Sequence, residues 1–384
     1  MTARNTNVGT RPGVLLVDRE IAACLGTQVR PALGASPVSL AQIQPASLDL
    51  RLGPRAWRIA AGFLPGLRSV DERLDELALE ELPLEGAGGV LRRGSVYLVA
   101  LDEELALDGE THARFNPRSS TGRCDVFTRV LCASHPRFDE APPGYRGALW
   151  LEIAPLSFDV RVARGDRMCQ MRLARGESAL STAELVALYE AAPLCSVDGR
   201  TLATHDVVFD REGGLCLRVG LAGRDPVAWR ARDGAPVLEF GRERAHAAAE
   251  FFEPVQATAA GVVLEPGHFY VFASREKIRV PPDHAAEMLP VDLGLGELRN
   301  NYAGFFDSGF GWNDEGASAT ASIGTSAVLE VRAHDVPFLV EDGQAFARLR
   351  YFRTSGRPDR LYGHGRASYR DQDLTLARVF RPAP

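Results

Sequence analysis

Short segments in which apolar and polar residues alternate recur along the whole chain. Examples are Val-Tyr-Leu-Val-Ala at 96–100 and Val-Leu-Glu-Val-Arg at 328–332, and glycine or proline stands between most of these segments. Such alternation is typical of β-strands, and glycine and proline favour the turns that connect them. The pattern therefore predicts a mainly β protein whose short strands form sandwiches or distorted barrels.

Only two helices are predicted. One begins near Asp18, and the other follows Ser181, because Ser181 and Glu184 have the spacing of a capping box.

The two halves of the chain repeat one pattern. Leu-Arg-Arg-Gly-Ser-Val-Tyr at 91–97 corresponds to Leu-Glu-Pro-Gly-His-Phe-Tyr at 264–270, and further on Leu-Glu at 151–152 corresponds to Leu-Glu at 329–330. A length of 384 residues is enough for two domains that each bury a core. We therefore expect a first domain over residues 1–200 and a second, repeated domain over residues 201–384.

Composition excludes several kinds of partner. The net charge of −6 provides no basic face for a polyanionic backbone, so we expect no nucleic-acid partner. The first apolar run, at 13–17, is too short for a signal peptide or a membrane span. We expect a cytoplasmic protein with no membrane partner.

The cysteines and histidines argue against a zinc enzyme. The six cysteines are scattered without a Cys-x-x-Cys pair, and no His-x-Glu motif occurs. Zinc-dependent deaminases need both motifs to hold the metal that activates water. The sequence therefore predicts buried thiols and no zinc site.

The segment Pro-Arg-Ser-Ser-Thr-Gly-Arg at 117–123 is a candidate phosphate site. Guanidinium groups, hydroxyls and free backbone N–H groups in a glycine-containing turn can surround phosphate oxygens. A polar surface turn is the alternative. The second copy has Pro-Val-Asp-Leu-Gly-Leu-Gly at 290–296 instead, so the scaffold itself does not require the serines and arginines.

Glu152 is a candidate acid–base group because it lies in the apolar strand Leu-Trp-Leu-Glu-Ile at 149–153. Burial there would be costly without a partner or a function, and it would raise the pKa of the carboxyl group. Strand alternation can instead place the side chain in water. Glu330, its counterpart in the second copy, indicates a partly structural role.

Together these segments resemble the deoxycytidine triphosphate (dCTP) deaminase family, a branch of the deoxyuridine triphosphatase fold. The segments that carry the resemblance are 17–21, 43–53, 118–123, 143–147, 151–152 and 165–170. The resemblance implies two tandem distorted β-barrel or jelly-roll-like domains with a few short helices. It also implies hydrolysis of dCTP to dUTP and ammonia, which supplies dUMP and thymidine triphosphate (dTTP).

The resemblance further implies roles for individual residues. Glu152 would activate water for attack on cytosine C4, and Ser119 and Arg123 would orient that water. Arg118 and Ser120 would hold the triphosphate. Mg²⁺ would be bound through the triphosphate and not by protein side chains, and no zinc is implied. Further nucleotide contacts are implied for Tyr145, Trp150, Leu151, Gln170, Tyr362 and Gln372.

Partners also follow from the resemblance. In this family residues of one subunit complete the pocket of its neighbour, so a homo-oligomer with a trimer-type arrangement of domains is expected. The nucleotide partners would be dCTP and dUTP, with dTTP as a candidate inhibitor.

The sequence departs from the family pattern in three respects. Pro142 stands where the family has the Asp that meets the sugar, which leaves Asp139 and Glu140 as candidate substitutes. The closing tail follows the second domain, at 361–372, with Ser368 in place of Lys. The second copy keeps Glu330 but lacks the Ser-Ser and Arg pattern, so we expect it to be pseudo-catalytic.

These features lead to three expectations for variants. Glu152→Gln is expected to lower turnover by ~10²–10⁴-fold. Glu330→Gln should change turnover little. Deletion after Gly363 should weaken nucleotide binding and leave the fold intact.

Two alternative functions stay open. One is an enzyme of the same fold that hydrolyses the triphosphate of dUTP, alone or after deamination, although Pro142 removes the obvious Asp for that step. The other is a nucleotide-sensing protein that binds with the same Arg and Ser residues and has no turnover.

Overall fold

A computed structural model describes residues 12–66, 68–210, 212–290, 299–300, 304–312, 324–333, 335–363, 369 and 372–381, with only the backbone at 299–300. The segment 291–296 and Ser368, both singled out in the sequence, lie outside the described residues. No helix in the described part of the chain is both long and apolar enough to span a membrane.

The first half of the chain is built mostly of strands. Its elements are β1 (Val14–Leu15), α1 (Asp18–Cys24), β2 (Val29–Pro31), β3 (Leu48–Leu50), β4 (Leu52–Ile59), α2 (Val70–Leu77), β5 (Ala78–Pro83), β6 (Gly89–Leu91), β7 (Val96–Ala106), β8 (Thr111–Pro117), α3 (Ser119–Gly122), β9 (Val126–Cys132), β10 (Glu140–Ala141), β11 (Arg146–Pro155), β12 (Val160–Val162) and β13 (Cys169–Arg175).

The second half has the same character. Its elements are α4 (Thr182–Ala191), β14 (Cys195–Val197), β15 (Arg200–Thr201), β16 (Gly214–Arg218), β17 (Ala228–Ala231), β18 (Leu238–Glu239), α5 (Ala248–Phe251), β19 (Phe252–Val255), β20 (Val262–Leu264), β21 (Phe269–Ile278), β22 (His284–Pro290), β23 (Arg299–Asn300), β24 (Phe305–Phe306), β25 (Thr325–Arg332), β26 (Phe338–Val340) and β27 (Ala345–Arg353). Single 3₁₀ turns lie at Leu40–Gln42 and Thr204–Asp206.

Corresponding strands pair in the same way in the two halves. In the first half β11 is antiparallel to β7, and β13 is antiparallel to β8. In the second half β25 is antiparallel to β21, and β27 is antiparallel to β22. The prediction of a mainly β fold with barrel-like sheets and few helices is confirmed.

Both predicted helices are present as α1 and α4. Helix α4 has the predicted capping box, in which Glu184 N–H donates to Ser181 Oγ and Ser181 N–H donates to the Glu184 carboxylate. Helix α2 was not predicted, although Ser69 and Glu72 form a capping box at its start.

Two large hydrophobic cores are present, and the second half of the chain, including its last described residues, contributes to the first of them. Leu376, Val379 and Phe380 are buried in the first core, where Phe380 packs against Phe251 and Phe252. The expectation that deletion after Gly363 leaves the fold intact is therefore wrong, since it would remove core side chains. Helix α4 packs into the second core, and the domain boundary near residue 200 stays a prediction.

Candidate active site

A cavity of about 570 Å³ is lined from both halves of the chain. The first half contributes Asp49, Arg118, Ser119, Ser120, Arg123, Arg167 and Gln170. The second half contributes Phe305, Phe306, Asp307, Phe310, Arg360, Tyr362, Tyr369, Gln372 and Arg378. The volume is in the range of small-molecule sites, and most of the named groups are polar or charged.

The Arg and Ser loop is held where strand β8 ends and α3 begins. Arg118 N–H and Thr121 Oγ1 both donate to the Met168 carbonyl, at 3.0 and 2.7 Å. The Arg118 guanidinium lies 3.1 Å from the Asp49 carboxylate, which is itself buried. These contacts fix the loop on one wall of the cavity, with Ser119 and Ser120 as lining residues.

Tyr369 of the C-terminal tail closes over this loop. Its hydroxyl lies 2.8 Å from Ser120 Oγ, and its ring centroid lies 3.9 Å from the guanidinium carbon of Arg123. Arg123 also donates to the Thr375 carbonyl at 3.0 Å. The tail is therefore bound to the loop by a hydrogen bond and a cation–π contact.

Glu330 of strand β25 faces the same loop from the second half. Its carboxylate Oε1 lies 3.8 Å from Arg123 Nε, and both side chains are about 5 % exposed or less. Burial raises the pKa of Glu330 to about 8, although Arg123 opposes the shift. A carboxyl group with such a pKa can exchange protons near neutral pH.

Asp307 is a second buried carboxylate in the cavity wall. It accepts hydrogen bonds from Ala46 N–H at 2.8 Å and from Ser47 Oγ at 3.3 Å, which join it to the first half. Burial raises its pKa to about 7.

Cationic side chains dominate the cavity. Besides Arg118 and Arg123, its lining includes Arg167, Arg360 and Arg378. Arg167 lies 3.7 Å from Asp49, and Arg378 lies 3.2 Å from Glu243. Such a set suits a polyanionic ligand of small size.

Two family models match the chain. The N-terminal domain of 2'-deoxycytidine 5'-triphosphate deaminase matches residues 13–177, and its C-terminal domain matches residues 182–380. The chain belongs to this deaminase family. The resemblance inferred from the sequence is thereby confirmed.

Relatives and a solved structure agree with this membership. The chain is 32% identical to "dCTP deaminase, dUMP-forming" of Coprothermobacter proteolyticus over 142 residues, which is 36% of this chain and 72% of that protein. It is 31% identical to "dCTP deaminase" of Natronomonas pharaonis over 136 residues, 34% of this chain and 65% of that protein. The crystal structure of 2'-deoxycytidine 5'-triphosphate deaminase from Agrobacterium tumefaciens has a TM-score of 0.80 and 38% sequence identity, and the match covers 91% of this chain and all of that one.

The residues predicted from the deaminase resemblance divide into two groups. Those that line the cavity are Arg118, Ser119, Ser120, Arg123, Gln170, Tyr362 and Gln372. Those that do not line it are Tyr145, Trp150, Leu151 and Glu152. The second group belongs to strand β11 and the turn before it, whereas two second-half residues, Asp307 and Phe310, line the cavity from the turn that corresponds to the one before β11.

Glu152 lies elsewhere in the first half. Its Oε1 accepts a hydrogen bond from Arg129 Nε at 2.9 Å. A Cβ atom added to Gly62 would lie 2.4 Å from Glu152 Oε2, so the backbone there lies directly against the carboxylate. Within one chain, the structure does not bring Glu152 to Ser119 and Arg123.

The other three predicted residues that do not line the cavity make structural contacts. Trp150 packs against Trp57 with ring centroids 5.8 Å apart, and Leu151 is buried in the first core. The Tyr145 hydroxyl donates to the Ala148 carbonyl and accepts from Ala133 N–H. These contacts leave none of the three as a lining residue.

Asp307 was missed from the sequence although a signal was present. The segment Asp-Ser-Gly-Phe at 307–310 has its Asp two residues before the Gly, which is the spacing that Pro142 breaks in the first copy. Phe310, the counterpart of Tyr145, also lines the cavity. Asp139, one of the two proposed substitutes, instead accepts from Val130 N–H on strand β9.

No group of three or more His, Cys, Asp or Glu side chains that could hold a metal ion occurs among the described residues. The six cysteines are free thiols, and all except Cys216 are buried. Burial raises the pKa of Cys124 and Cys169.

Proposed function

We propose that this protein deaminates dCTP hydrolytically to dUTP and ammonia, and so supplies deoxyuridine nucleotides for dUMP and dTTP synthesis in the cytoplasm. One observation carries the proposal: the Arg118–Arg123 loop lines the cavity, and a buried carboxylate of the second half, Glu330, lies 3.8 Å from Arg123 of that loop. Family membership supports the same reaction.

The triphosphate would lie against the arginine-rich wall. Arg118 and Ser120 would bind it with charge-assisted hydrogen bonds. Gln372 also lines the cavity, and its Nε2 donates one N–H to the Ser326 carbonyl at 2.9 Å and has a second N–H that can donate to a phosphate oxygen. Tyr362 and Gln170 complete the proposed nucleotide contacts. Mg²⁺ would be bound by the triphosphate oxygens, where it would reduce their charge.

Asp307 would bind the deoxyribose. Its carboxylate is fixed by Ala46 and Ser47, so it is oriented before the nucleotide arrives. An ionised carboxylate accepts a hydrogen bond from a sugar hydroxyl, and we propose the 3'-hydroxyl as that donor. Asp307 would thereby replace the missing Asp at Pro142.

The water would be oriented by Ser119 and Arg123 and activated by a protein carboxylate, without zinc. Ser119 provides a hydroxyl that donates or accepts, and Arg123 only donates. Their places in the same cavity support this role.

A second candidate is a bifunctional enzyme that continues from dUTP to dUMP and diphosphate. Diphosphate release needs a carboxylate to activate water near the α-phosphate, and Asp307 restores a candidate that Pro142 had removed. The printed name "dCTP deaminase, dUMP-forming" of the Coprothermobacter proteolyticus relative supports this possibility.

Incubation of the purified protein with dCTP and Mg²⁺, followed by separation of the nucleotides and an ammonia assay, tests these functions. We expect dUTP and ammonia in equal amounts. Formation of dUMP and diphosphate would establish the second candidate, and unchanged dCTP would overturn both in favour of a nucleotide sensor.

Both halves of one chain line this cavity. The homo-oligomer of trimer type and inhibition by dTTP stay predictions. Gel filtration with light scattering tests the first, and dCTP turnover measured with added dTTP tests the second.

A further inference from the structure

A small pocket adjoins the cavity between Ser119 and Glu330. It has a volume of about 20 Å³, and its lining includes Ser119, Arg123, Met288, Gly304 and Glu330. A space of this size holds about one water molecule, provided that polar groups surround it.

Four residues with polar side chains line this pocket. They are Arg118, Ser119, Arg123 and Glu330. Arg123 Nε is buried and has no hydrogen-bond partner among the described residues. A buried N–H without a partner is costly, so a water that accepts from it would be stabilised there.

Glu152 lines neither the cavity nor the small pocket. One of its oxygens is bound by Arg129, and the backbone at Gly62 lies against the other. The segment that carries Gly62 connects β4 to α2 and belongs to the first half itself. The first half therefore covers its own carboxylate, and a nucleotide could reach Glu152 only if this segment moved.

At neighbouring positions too, the residue that lines the cavity comes from the second half and not from the first. The second-half counterparts of Pro142, Tyr145 and Glu152 are Asp307, Phe310 and Glu330. All three counterparts line the cavity or its small pocket, whereas Tyr145 and Glu152 line neither. The second half thus supplies three side chains to this region and not one alone.

We infer that Glu330, supplied by the second half of the chain, is the catalytic carboxylate of this site, and that Glu152 takes no part in the reaction. The inference rests on the proposed deamination. It makes the second half a working part of the active site and not a pseudo-catalytic copy.

The proposed reaction balances with Glu330 as the only proton carrier. Glu330 takes one proton from the water and passes it to cytosine N3, while the hydroxyl oxygen bonds to C4. The second proton of that water then moves through Glu330 to the 4-amino nitrogen. The C4–N bond breaks, its electron pair leaves on ammonia, and the C4 carbonyl of dUTP forms.

The charges around Glu330 suit this exchange. Burial favours the protonated form, the Arg123 guanidinium favours the carboxylate, and the nearby Asp125 carboxylate disfavours it. The result is a pKa near neutrality, at which both forms are accessible during one turnover.

The test compares Glu330→Gln with its counterpart Glu152→Gln. Each variant is assayed for ammonia and dUTP release at saturating dCTP, and dCTP affinity is measured by calorimetry. We expect Glu330→Gln to lose ~10²–10⁴-fold in kcat while its Kd for dCTP changes by less than about fivefold. Glu152→Gln should keep kcat within about threefold of the wild type.

The outcomes separate the two proposals. If the wild type does not release ammonia from dCTP, the proposed function fails before either variant is considered. If the wild type is active and Glu330→Gln keeps its kcat, or Glu152→Gln loses as much, the assignment of Glu330 is overturned. Glu330→Asp keeps the acid group, so partial activity in that variant would support the assignment even if Glu330→Gln folds poorly.

Co-expression tests whether the Ser119 and the Glu330 of one active site belong to the same chain. Chains with Ser119→Ala and chains with Glu330→Gln are produced together and purified as one sample. We expect no more activity than the two variants have separately, because each chain lacks one part of its own site. Recovery towards a quarter or more of wild-type activity would place the two residues in different chains and overturn the intrachain site.

Discussion

Replacement of Tyr369 by Phe tests whether the tail contributes to nucleotide binding. The hydroxyl of Tyr369 lies 2.8 Å from Ser120 Oγ and accepts from Arg378 N–H at 3.2 Å. Tyr369→Phe removes both contacts and leaves the ring over Arg123. Each lost hydrogen bond costs about 1 kcal/mol, so about 2 kcal/mol is removed in total.

Part of this loss should appear in binding, because Ser120 and Arg378 line the nucleotide cavity. If half of it is expressed there, the Kd for dCTP rises by roughly fivefold, since 1.4 kcal/mol corresponds to tenfold. Tyr369→Ala also removes the ring from Arg123, which adds about 0.5–2 kcal/mol. We therefore expect a larger rise in Kd for the alanine variant.

Tyr270→Phe is the matched control. The Tyr270 hydroxyl also accepts a backbone hydrogen bond, from Glu265 N–H at 3.1 Å, but it lies in the second core away from the cavity. Calorimetry with dCTP and thermal denaturation should be run on both variants. We expect both to lower Tm by a few degrees, and only Tyr369→Phe to raise Kd. An unchanged Kd in Tyr369→Phe, with the same loss of Tm as the control, would show that the tail contact is purely structural.

Three further predictions concern the pKa of Glu330, metals and the sugar. Because burial raises the pKa of Glu330 from 4.5 to about 8, the folded state keeps a proton that the unfolded state releases. As pH rises from about 4.5 to 8, the Tm of the wild type should therefore fall more than the Tm of Glu330→Gln. Parallel curves of Tm against pH for the two proteins would contradict this. Turnover should survive chelators that strip zinc but require Mg²⁺, and zinc-dependent recovery of lost turnover would overturn the mechanism. Asp307→Asn should abolish a preference for dCTP over its 3'-deoxy analogue in competition binding, and a retained preference would exclude Asp307 as the sugar contact.

Much of the fold could be predicted because local patterns specify it. Alternation identified strands such as β7 and β25, and the capping box at Ser181 identified α4. Helix α2 was missed even though Ser69 and Glu72 have the same spacing, because its apolar positions are few. The return of Phe380 to the first core is a long-range contact, and no local pattern indicates which core a terminal apolar segment joins.

The sequence indicates the loop that lines the cavity but not which strand faces that loop, and the roles of these residues stay predictions. The Arg118–Arg123 loop could be singled out because the second copy lacks its serines and arginines, and Tyr362 and Gln372 were named from the family resemblance; these residues line the cavity. The sequence also identified both Glu152 and Glu330. The alternation of apolar and polar residues, however, indicates only which face of its own sheet each side chain is on. Which half presents its strand to the loop depends on how the halves pack, and that information is not local.

Each copy lacks the site residues that the other copy keeps. Such losses are tolerated if the two copies together form one site. The first copy keeps the Arg and Ser loop at 118–123 but has Pro142 in place of the sugar-binding Asp. The second copy keeps Asp307 and Glu330 but has lost the loop residues. If each copy needed a whole site, either loss would be disabling. If one loop faces one strand across the two halves, each copy must keep only the part that it contributes, and the unused part is free to become structural, as the contacts of Glu152 with Arg129 and Gly62 indicate.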